Sequence, residues 1–159
     1  MSNESLMKAC DMKVDRSSPQ PPANTESLYN MLLKARDISS FIKEHSDLFQ
    51  STDLPIYLAD LCAKYELKNA KVIEDSGING DYFYQILSGK RKPSRDKTIR
   101  LAIGMKLNVK ETQKLLNCSG ASELYPRNRR DAIILFALEH HISIYETNDF
   151  LYELSEPLL

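Results

Sequence analysis

The sequence predicts an all-α protein, and three observations support this prediction. Apolar residues recur at intervals of three and four along most of the chain, which is the period of an amphipathic helix. Alternation of apolar and polar residues never extends beyond four positions, so strands are not indicated. The chain has only 5 glycines among 159 residues, and 42% of its residues are apolar, which is enough to build a core.

The N-terminal part of the chain has two sections. Residues 1–24 are polar, contain several prolines and lack a period, so we expect a disordered arm. Residues 25–50 predict a leader helix from about Thr25 to His45. Its apolar stripe docks either on the rest of the same chain, which we favour, or on a second chain. The stripe comprises Leu28, Met31, Leu32, Ala35, Ile38 and Ile42.

Residues 51–118 are predicted to form one helical domain. Pro55 is tolerated in the first turn of its first helix, and Asn108 with Glu111 has the spacing of a capping box. Five helices are expected: one after Asp53, one from Asn69 to Ser76, one from Asp81 to Ser88, one from about Arg95 to Lys106, and one after Asn108.

Residues 119–159 predict an extension of two further helices that packs on this domain. Asn128 and Asp131 bracket the start of the first helix. Leu135 and Phe136 make that helix apolar nearly all round, so we expect it to be heavily buried. The second helix opens with the capping box of residues 143–146.

Charge is distributed unevenly along the chain, although the net charge is only -1. Residues 1–67 carry a net charge of -3, residues 68–130 carry +8, and residues 131–159 carry -6. The positive middle predicts a surface that faces a polyanion, although a solvated surface is the common alternative for a run of charges. Six of its cations lie within eleven residues: Lys90, Arg91, Lys92, Arg95, Lys97 and Arg100.

A second basic cluster precedes the C-terminal extension. It consists of Arg127, Arg129 and Arg130. These side chains either extend the polyanion-binding surface or pair with the acidic C-terminal residues, and the sequence does not choose between the two.

Residues 77–94 predict a tight turn, a short amphipathic helix, a glycine stop and a basic segment. Phe83, Ile86 and Leu87 share one face of the helix at positions i, i+3 and i+4. The other side chains of the helix are left facing outward: Asp81, Tyr82, Tyr84, Gln85 and Ser88. An anchored inner face and a polar outer face are typical of a helix-turn-helix recognition element.

Residues 54–117 resemble the five-helix DNA-binding domain of the lambda-repressor and Cro (C1) type, known as the Xre family. The resemblance rests on Val72, Gly77, Ile78, Phe83, Ile86 and the segment from Gly89 to Ser94. It implies a helix-turn-helix regulator of transcription that binds double-stranded DNA. The implied contacts are Asn69, Asn79, Gly80, Asp81, Tyr82, Tyr84, Gln85, Ser88, Lys90, Arg91, Lys92 and Arg95.

The expected roles in DNA binding differ from one side chain to the next. The amide of Gln85 can pair with adenine, and the hydroxyls of Tyr82 and Tyr84 can bond phosphates. Asp81 either accepts a hydrogen bond from cytosine or caps its own helix, and we favour the cap. The family usually has a small residue at the position of Ile73 and a leucine at that of Ser76. An isoleucine at position 73 would push the helices apart unless nearby residues make room for it.

A protein-interaction adaptor that kept this scaffold but lost base reading is the alternative. The aromatic run of residues 82–84 suits a protein interface, and Gly80 and Asp81 offer little for reading bases. The resemblance also implies a homodimer, because one short helix gives little specificity. The expected surfaces for a second copy or a regulatory protein are residues 25–48 or 131–159.

Several classes of function are not expected. The chain lacks the GxGxxG, P-loop and GxSxG motifs, and His140 and His141 point to different helix faces, so we expect neither an enzyme nor a cofactor. Cys10, Cys62 and Cys118 are far apart, so no metal site is indicated. We expect neither a membrane span nor secretion, and we expect a cytoplasmic protein with reduced thiols.

Overall fold

A computed structural model describes residues 25–49 and 53–159 of the chain, and within these ranges every regular element is a helix. The predicted all-α class is therefore confirmed. The chain divides into two units between residues 50 and 51, and each is described by itself. The arm predicted for residues 1–24 lies outside the described residues.

Within residues 25–49, the described part of the first unit, there are two helices where the sequence predicted one. They are α1 (Thr25–Lys34) and α2 (Ile38–Glu44), and a 3-10 turn follows at Ser46–Leu48. The prediction of a continuous helix was wrong because Asp37 caps a new one. Its carboxylate accepts hydrogen bonds from the backbone N–H of Ser39 and of Ser40. Hydrogen bonds from the Ser40 hydroxyl and these N–H groups lower the pKa of Asp37.

The break between α1 and α2 also changes which side chains are covered. Ile38 and Ile42, members of the predicted stripe, are 55% and 46% exposed. Phe41 is the buried residue of α2 instead, and its ring stacks on His45 with centroids 4.5 Å apart. Because the stripe assumed one continuous helix, it placed the wrong side chains of α2 on the inner face.

The second unit consists of seven helices in the described chain. Their starts and ends lie within two residues of the predictions made for them, which is the usual uncertainty of a helix end. They are α3 (Leu54–Lys64), α4 (Asn69–Ser76), α5 (Gly80–Leu87), α6 (Arg95–Gly104), α7 (Val109–Cys118), α8 (Arg129–Glu139) and α9 (Ile144–Glu153). No described helix is long and apolar enough to cross a bilayer.

Helix α6 lies at the centre of this unit. It contacts α4, α7, α8 and α9, and 6 of its 10 residues are buried. Ile99, Leu101 and Ala102 are completely inaccessible to solvent. Ile134 of α8 and Ile144 of α9 belong to the same core cluster. The two C-terminal helices therefore share one hydrophobic core with α3 to α7.

Local capping chemistry explains where three of these helices begin. The capping boxes predicted for α7 and α9 are both present. At the start of α8, the side chain of Asn128 accepts a hydrogen bond from the backbone N–H of Asp131. Such side chains satisfy N–H groups that have no partner inside the helix.

Helix α8 is less buried than the heavy burial that the sequence predicted for it, with four buried residues among its eleven. Phe136 is 52% exposed, although Ile134, Ala137 and Leu138 of the same helix are buried. The Phe136 ring lies against that of Phe150, with centroids 6.4 Å apart. Helix α8 packs on the core with one face only, and the apolar residue on its outer face remains at the surface.

Glu111, which is nearly buried, both caps α7 and forms an ion pair with the exposed Lys64. Its carboxylate accepts hydrogen bonds from Lys64 Nζ at 2.6 Å, from the Tyr65 hydroxyl at 2.7 Å, and from the backbone N–H of Asn108. Burial raises the pKa of Glu111, but the hydrogen bonds from Lys64 and Tyr65 outweigh it and lower the pKa overall. These bonds join α3 to α7.

The two described cysteines are partly buried free thiols. Burial raises the pKa of Cys62 and of Cys118, so both stay protonated at neutral pH. Cys10 lies outside the described residues.

Candidate nucleic-acid interface

Helix α5 is anchored to the core through one face. Phe83 and Ile86 are both 0% exposed, three residues apart, and α5 packs against α3 and α4. Tyr84 is 53% exposed on the opposite side, and Asp81 and Gln85 are exposed with it. The predicted inner and outer faces of this helix are therefore present.

The N-terminus of α5 is capped by Asn79 and not by Asp81, so the favoured role for Asp81 was wrong. The Asn79 side-chain oxygen accepts hydrogen bonds from the N–H of Asp81 at 2.9 Å and of Tyr82 at 3.3 Å. Asn79 has the extended backbone of a cap residue, which places Gly80 first in the helix. Asp81 sits in the first turn, where the helix dipole favours a negative charge.

The turn before α5 depends on two residues. Gly77 ends α4 in the left-handed region, with φ +61°, where glycine is favoured because it has no Cβ. Ile78 follows and is 3% exposed, which fixes the turn to the core. Asn69, also expected to contact DNA, is the partly buried first residue of α4.

The unusual residues at positions 73 and 76 are each matched by a glycine. Ile73 lies next to Gly80, where a Cβ would be 3.7 Å from Ile73 Cδ1, an ordinary van der Waals distance. Ser76 is fully buried against Gly104, where a Cβ would come within 2.6 Å of the Ser76 nitrogen. Small residues at positions 76 and 104 let α4 and α6 approach closely.

The basic segment folds back beside α5. The Arg91 N–H donates to the Gln85 carbonyl at 3.1 Å, and the Arg91 guanidinium lies over the Tyr82 ring at 5.2 Å. Tyr82 is consequently half-buried, whereas Lys90, Arg91 and Ser88 are exposed. These contacts hold the Arg91 guanidinium at the edge of the outward face of α5.

A shallow cleft of about 330 Å³ joins the start of α5 to the first turn of α6. Two cations, Arg91 and Lys97, line it, together with polar side chains of α5. The lining residues are Ile78, Asn79, Asp81, Tyr82, Gln85, Arg91 and Lys97. Lys92 is also exposed, but its ammonium lies against Gly120, beyond the end of α7.

Arg95 does not face outward, which corrects its expected placement on phosphate. Its two terminal nitrogens bind the Asp131 carboxylate at 3.1 and 2.8 Å, and its Nε donates to the Ser122 carbonyl at 3.0 Å. Asp131 is only 5% exposed. The pair therefore joins α6 to α8, and this guanidinium is engaged by groups of the protein itself.

The second basic cluster pairs largely with the C-terminal segment. Arg129 lies 3.5 Å from Glu156, and Arg130 binds Asp96 at 2.9 Å as well as backbone carbonyls beyond α9. Arg127 is exposed. Of the two alternatives predicted for this cluster, Arg129 follows the second, because it pairs with an acidic residue of the C-terminal segment.

The described residues contain no group of three or more His, Cys, Asp or Glu side chains arranged to hold a metal ion. Comparison of the chain with protein-family models, with curated proteins and with solved structures finds no match in any of the three. Any assignment of function therefore rests on the geometry around α5.

Proposed function

We propose that the chain is a sequence-specific DNA-binding regulator that inserts α5 into the major groove. The observation that carries the proposal is the two-sided character of α5. Phe83 and Ile86 are fully buried, whereas Tyr84 and Gln85 are exposed on the other side. Helix α4 and the turn at Gly77 precede it, as in a helix-turn-helix element. In this proposal α3 to α7 correspond to the five-helix domain of the lambda-repressor type.

Three cations at the end of α5 supply the affinity for the DNA backbone. Lys90, Arg91 and Lys92 are exposed, and none of them forms an ion pair with another described residue. Each phosphate that such a side chain neutralises releases condensed counterions, which favours binding at low salt. Lys97, in the adjoining cleft, adds a fourth positive charge.

The polar groups on the outward face of α5 read the sequence. The Gln85 amide is suited to donate to and accept from adenine. The Asn79 oxygen is occupied by the helix cap, so only its amide nitrogen is left to donate to DNA. Asp81 accepts from cytosine and repels phosphate, which favours particular bases near the start of the helix.

Dimerisation is part of the same proposal. Helix α5 has eight residues and spans about 12 Å, so one copy reads few base pairs. Two copies that bind adjacent half-sites provide the missing specificity. Residues 25–48 and 131–159 are the surfaces through which a second copy or a regulatory protein would bind.

A protein-interaction adaptor is the second candidate, and the surface of α8 and α9 favours it. Phe136 and Phe150 are 52% and 36% exposed, and their rings touch. Glu139, Asp149 and Glu153 are exposed near them in sequence and carry no ion pair to another described residue. Exposed aromatic residues are enriched at protein interfaces. The aromatic run on α5 is less suited to this role, because Phe83 is buried.

Duplex binding measured against salt tests the first proposal. We expect log K to fall steeply with log salt for the native chain. When Lys90, Arg91 and Lys92 are changed together to Ala, the slope decreases by up to about 0.9 for each phosphate that is no longer neutralised. The matched control changes Lys106, Lys110 and Lys114 to Ala, which removes the same charge away from α5 and preserves the slope. Absence of duplex binding by the native chain at about 50 mM salt contradicts the proposal.

Base reading is tested separately with a duplex selected from a randomised pool. We expect Gln85→Ala to reduce discrimination at one base position by about 1–3 kcal/mol, because alanine cannot form the bidentate hydrogen bonds of the amide. The affinity for random duplex and its salt dependence stay unchanged. A base preference identical to that of the native chain removes Gln85 from the reading residues.

A further inference from the structure

Arg100 of α6 is partly buried and bonds to the turn that precedes α5. Its Nε donates to the Ser76 carbonyl at 2.9 Å, and its Nη2 donates to the Gly77 carbonyl at 3.3 Å. Its Nη1 donates to the oxygen of Leu159 at 3.1 Å. One planar guanidinium thus joins the end of α4 to the C-terminal segment.

This placement suits the chemistry of the end of α4. The last carbonyls of a helix have no partner within the helix, and the C-terminal end of the helix dipole attracts a positive charge. Besides its φ angle, Gly77 leaves the space that the guanidinium of Arg100 occupies. A Cβ at this position would come within 2.6 Å of Arg100 Nη2, so a side chain at 77 would displace the guanidinium.

The C-terminal segment is itself fixed to two helices. The Leu159 N–H donates to the side-chain oxygen of Asn148 in α9 at 2.8 Å. Arg130 of α8 donates to the carbonyls of Pro157 at 2.8 Å and Leu158 at 2.9 Å. The segment therefore presents the oxygen of Leu159 to Arg100 in a defined position.

We propose that Arg100 is a positioning residue for α5 and that residues 156–159 keep its guanidinium in place. This inference rests on the proposed function, because it gives α8, α9 and the C-terminal segment a role in DNA recognition without a DNA contact. Removal of the segment releases one arm of the guanidinium and loosens the turn. Helix α5 then occupies its binding orientation for a smaller fraction of the time, and the apparent affinity falls by that fraction.

The test compares three variants with the native chain: Arg100→Ala, a chain that ends at Ser155, and Lys110→Ala as a control. Lys110 is an exposed cation of α7 that forms no ion pair with another described residue. Hydrogen exchange is measured at the N–H groups of Asp81 and Tyr82, which Asn79 caps. Affinity is measured for a selected duplex and for a random duplex at several salt concentrations.

For Arg100→Ala and for the shortened chain we expect faster exchange at Asp81 and Tyr82 and unchanged exchange at Leu115. The ratio of selected to random affinity falls about fivefold, and the salt slope stays unchanged. Lys110→Ala leaves both readouts near native. Unchanged exchange in both variants overturns the proposal, as does a slope reduced by about 0.9 in Arg100→Ala, which indicates a direct phosphate contact. If the native chain binds no duplex, the proposed function fails. Hydrogen exchange at Asp81 and Tyr82 then still tests whether Arg100 holds the turn in place.

Discussion

The close packing of α4 on α6 leaves no room for a side chain at Gly104. A Cβ added there would lie 2.6 Å from the backbone nitrogen of Ser76 and 2.8 Å from its Cα. Backbone atoms cannot rotate away as a flexible side chain can. Gly104→Ala therefore forces the two helices apart by several tenths of an ångström.

The expected cost follows from two opposing terms. Overpacking of a well-packed core costs about 1–3 kcal/mol, and the upper end applies at Gly104 because the opposing atoms are backbone. Alanine gains about 1 kcal/mol over glycine in a helix. The net decrease in the free energy of unfolding is about 2 kcal/mol. For a unit of roughly 110 residues, with an unfolding entropy of about 2.1 cal/mol/K per residue, the melting temperature falls by about 9 °C.

Urea and thermal denaturation followed by circular dichroism measure this decrease. Gly80→Ala is the matched control, because a Cβ there meets Ile73 Cδ1 at 3.7 Å, an ordinary van der Waals distance. We expect the control to be as stable as the native chain or slightly more so. If Gly104→Ala is as stable as Gly80→Ala, the close approach of α4 and α6 is not a constraint on the fold.

Three further predictions concern capping, an internal ion pair and pH. Asn79→Ala lowers stability by about 1 kcal/mol in urea denaturation because the cap is removed, and an equal effect of Asp81→Ala contradicts this assignment. Arg95→Ala lowers stability by about 3 kcal/mol, because Asp131 loses its partner. The salt slope of duplex binding stays unchanged, and a flatter slope would place Arg95 on DNA. Glu111→Gln is less stable than the native chain at pH 7. Because the folded pKa of Glu111 is lowered, this difference is complete above the ordinary pKa of about 4.3 and is lost as the pH falls from there through the lower folded pKa. A difference that persists once Glu111 is protonated in the folded protein refutes the ion-pair explanation.

Helix starts were predictable where the capping chemistry is local. Asn108 and Ser143 each accept a hydrogen bond from the backbone of the residue three positions later, so the spacing of residues in the sequence is enough to predict the interaction. Asp37 uses the same chemistry, but it lies inside a long apolar stripe that suggested one continuous helix. A carboxylate followed closely by two serines was the available signal for a new helix there.

Interactions between distant parts of the chain were not predictable. Arg95 meets Asp131 after 36 residues, and Arg100 meets Leu159 after 59, and no periodic pattern relates such positions. Both arginines lie in a run of cations that suggested one exposed surface. For Phe136 the limit was different, because a helix that is apolar on all sides does not indicate which side is buried.

The pairing of Ile73 with Gly80 has a consequence for redesign of the outward face of α5. A side chain larger than alanine introduced at position 80 has to share its volume with the isoleucine beneath it. Shortening that isoleucine to alanine at the same time opens the space that a new base-contacting group requires. Positions 73 and 80 are therefore best varied together, because a Cβ at 80 already reaches van der Waals distance from Ile73 Cδ1.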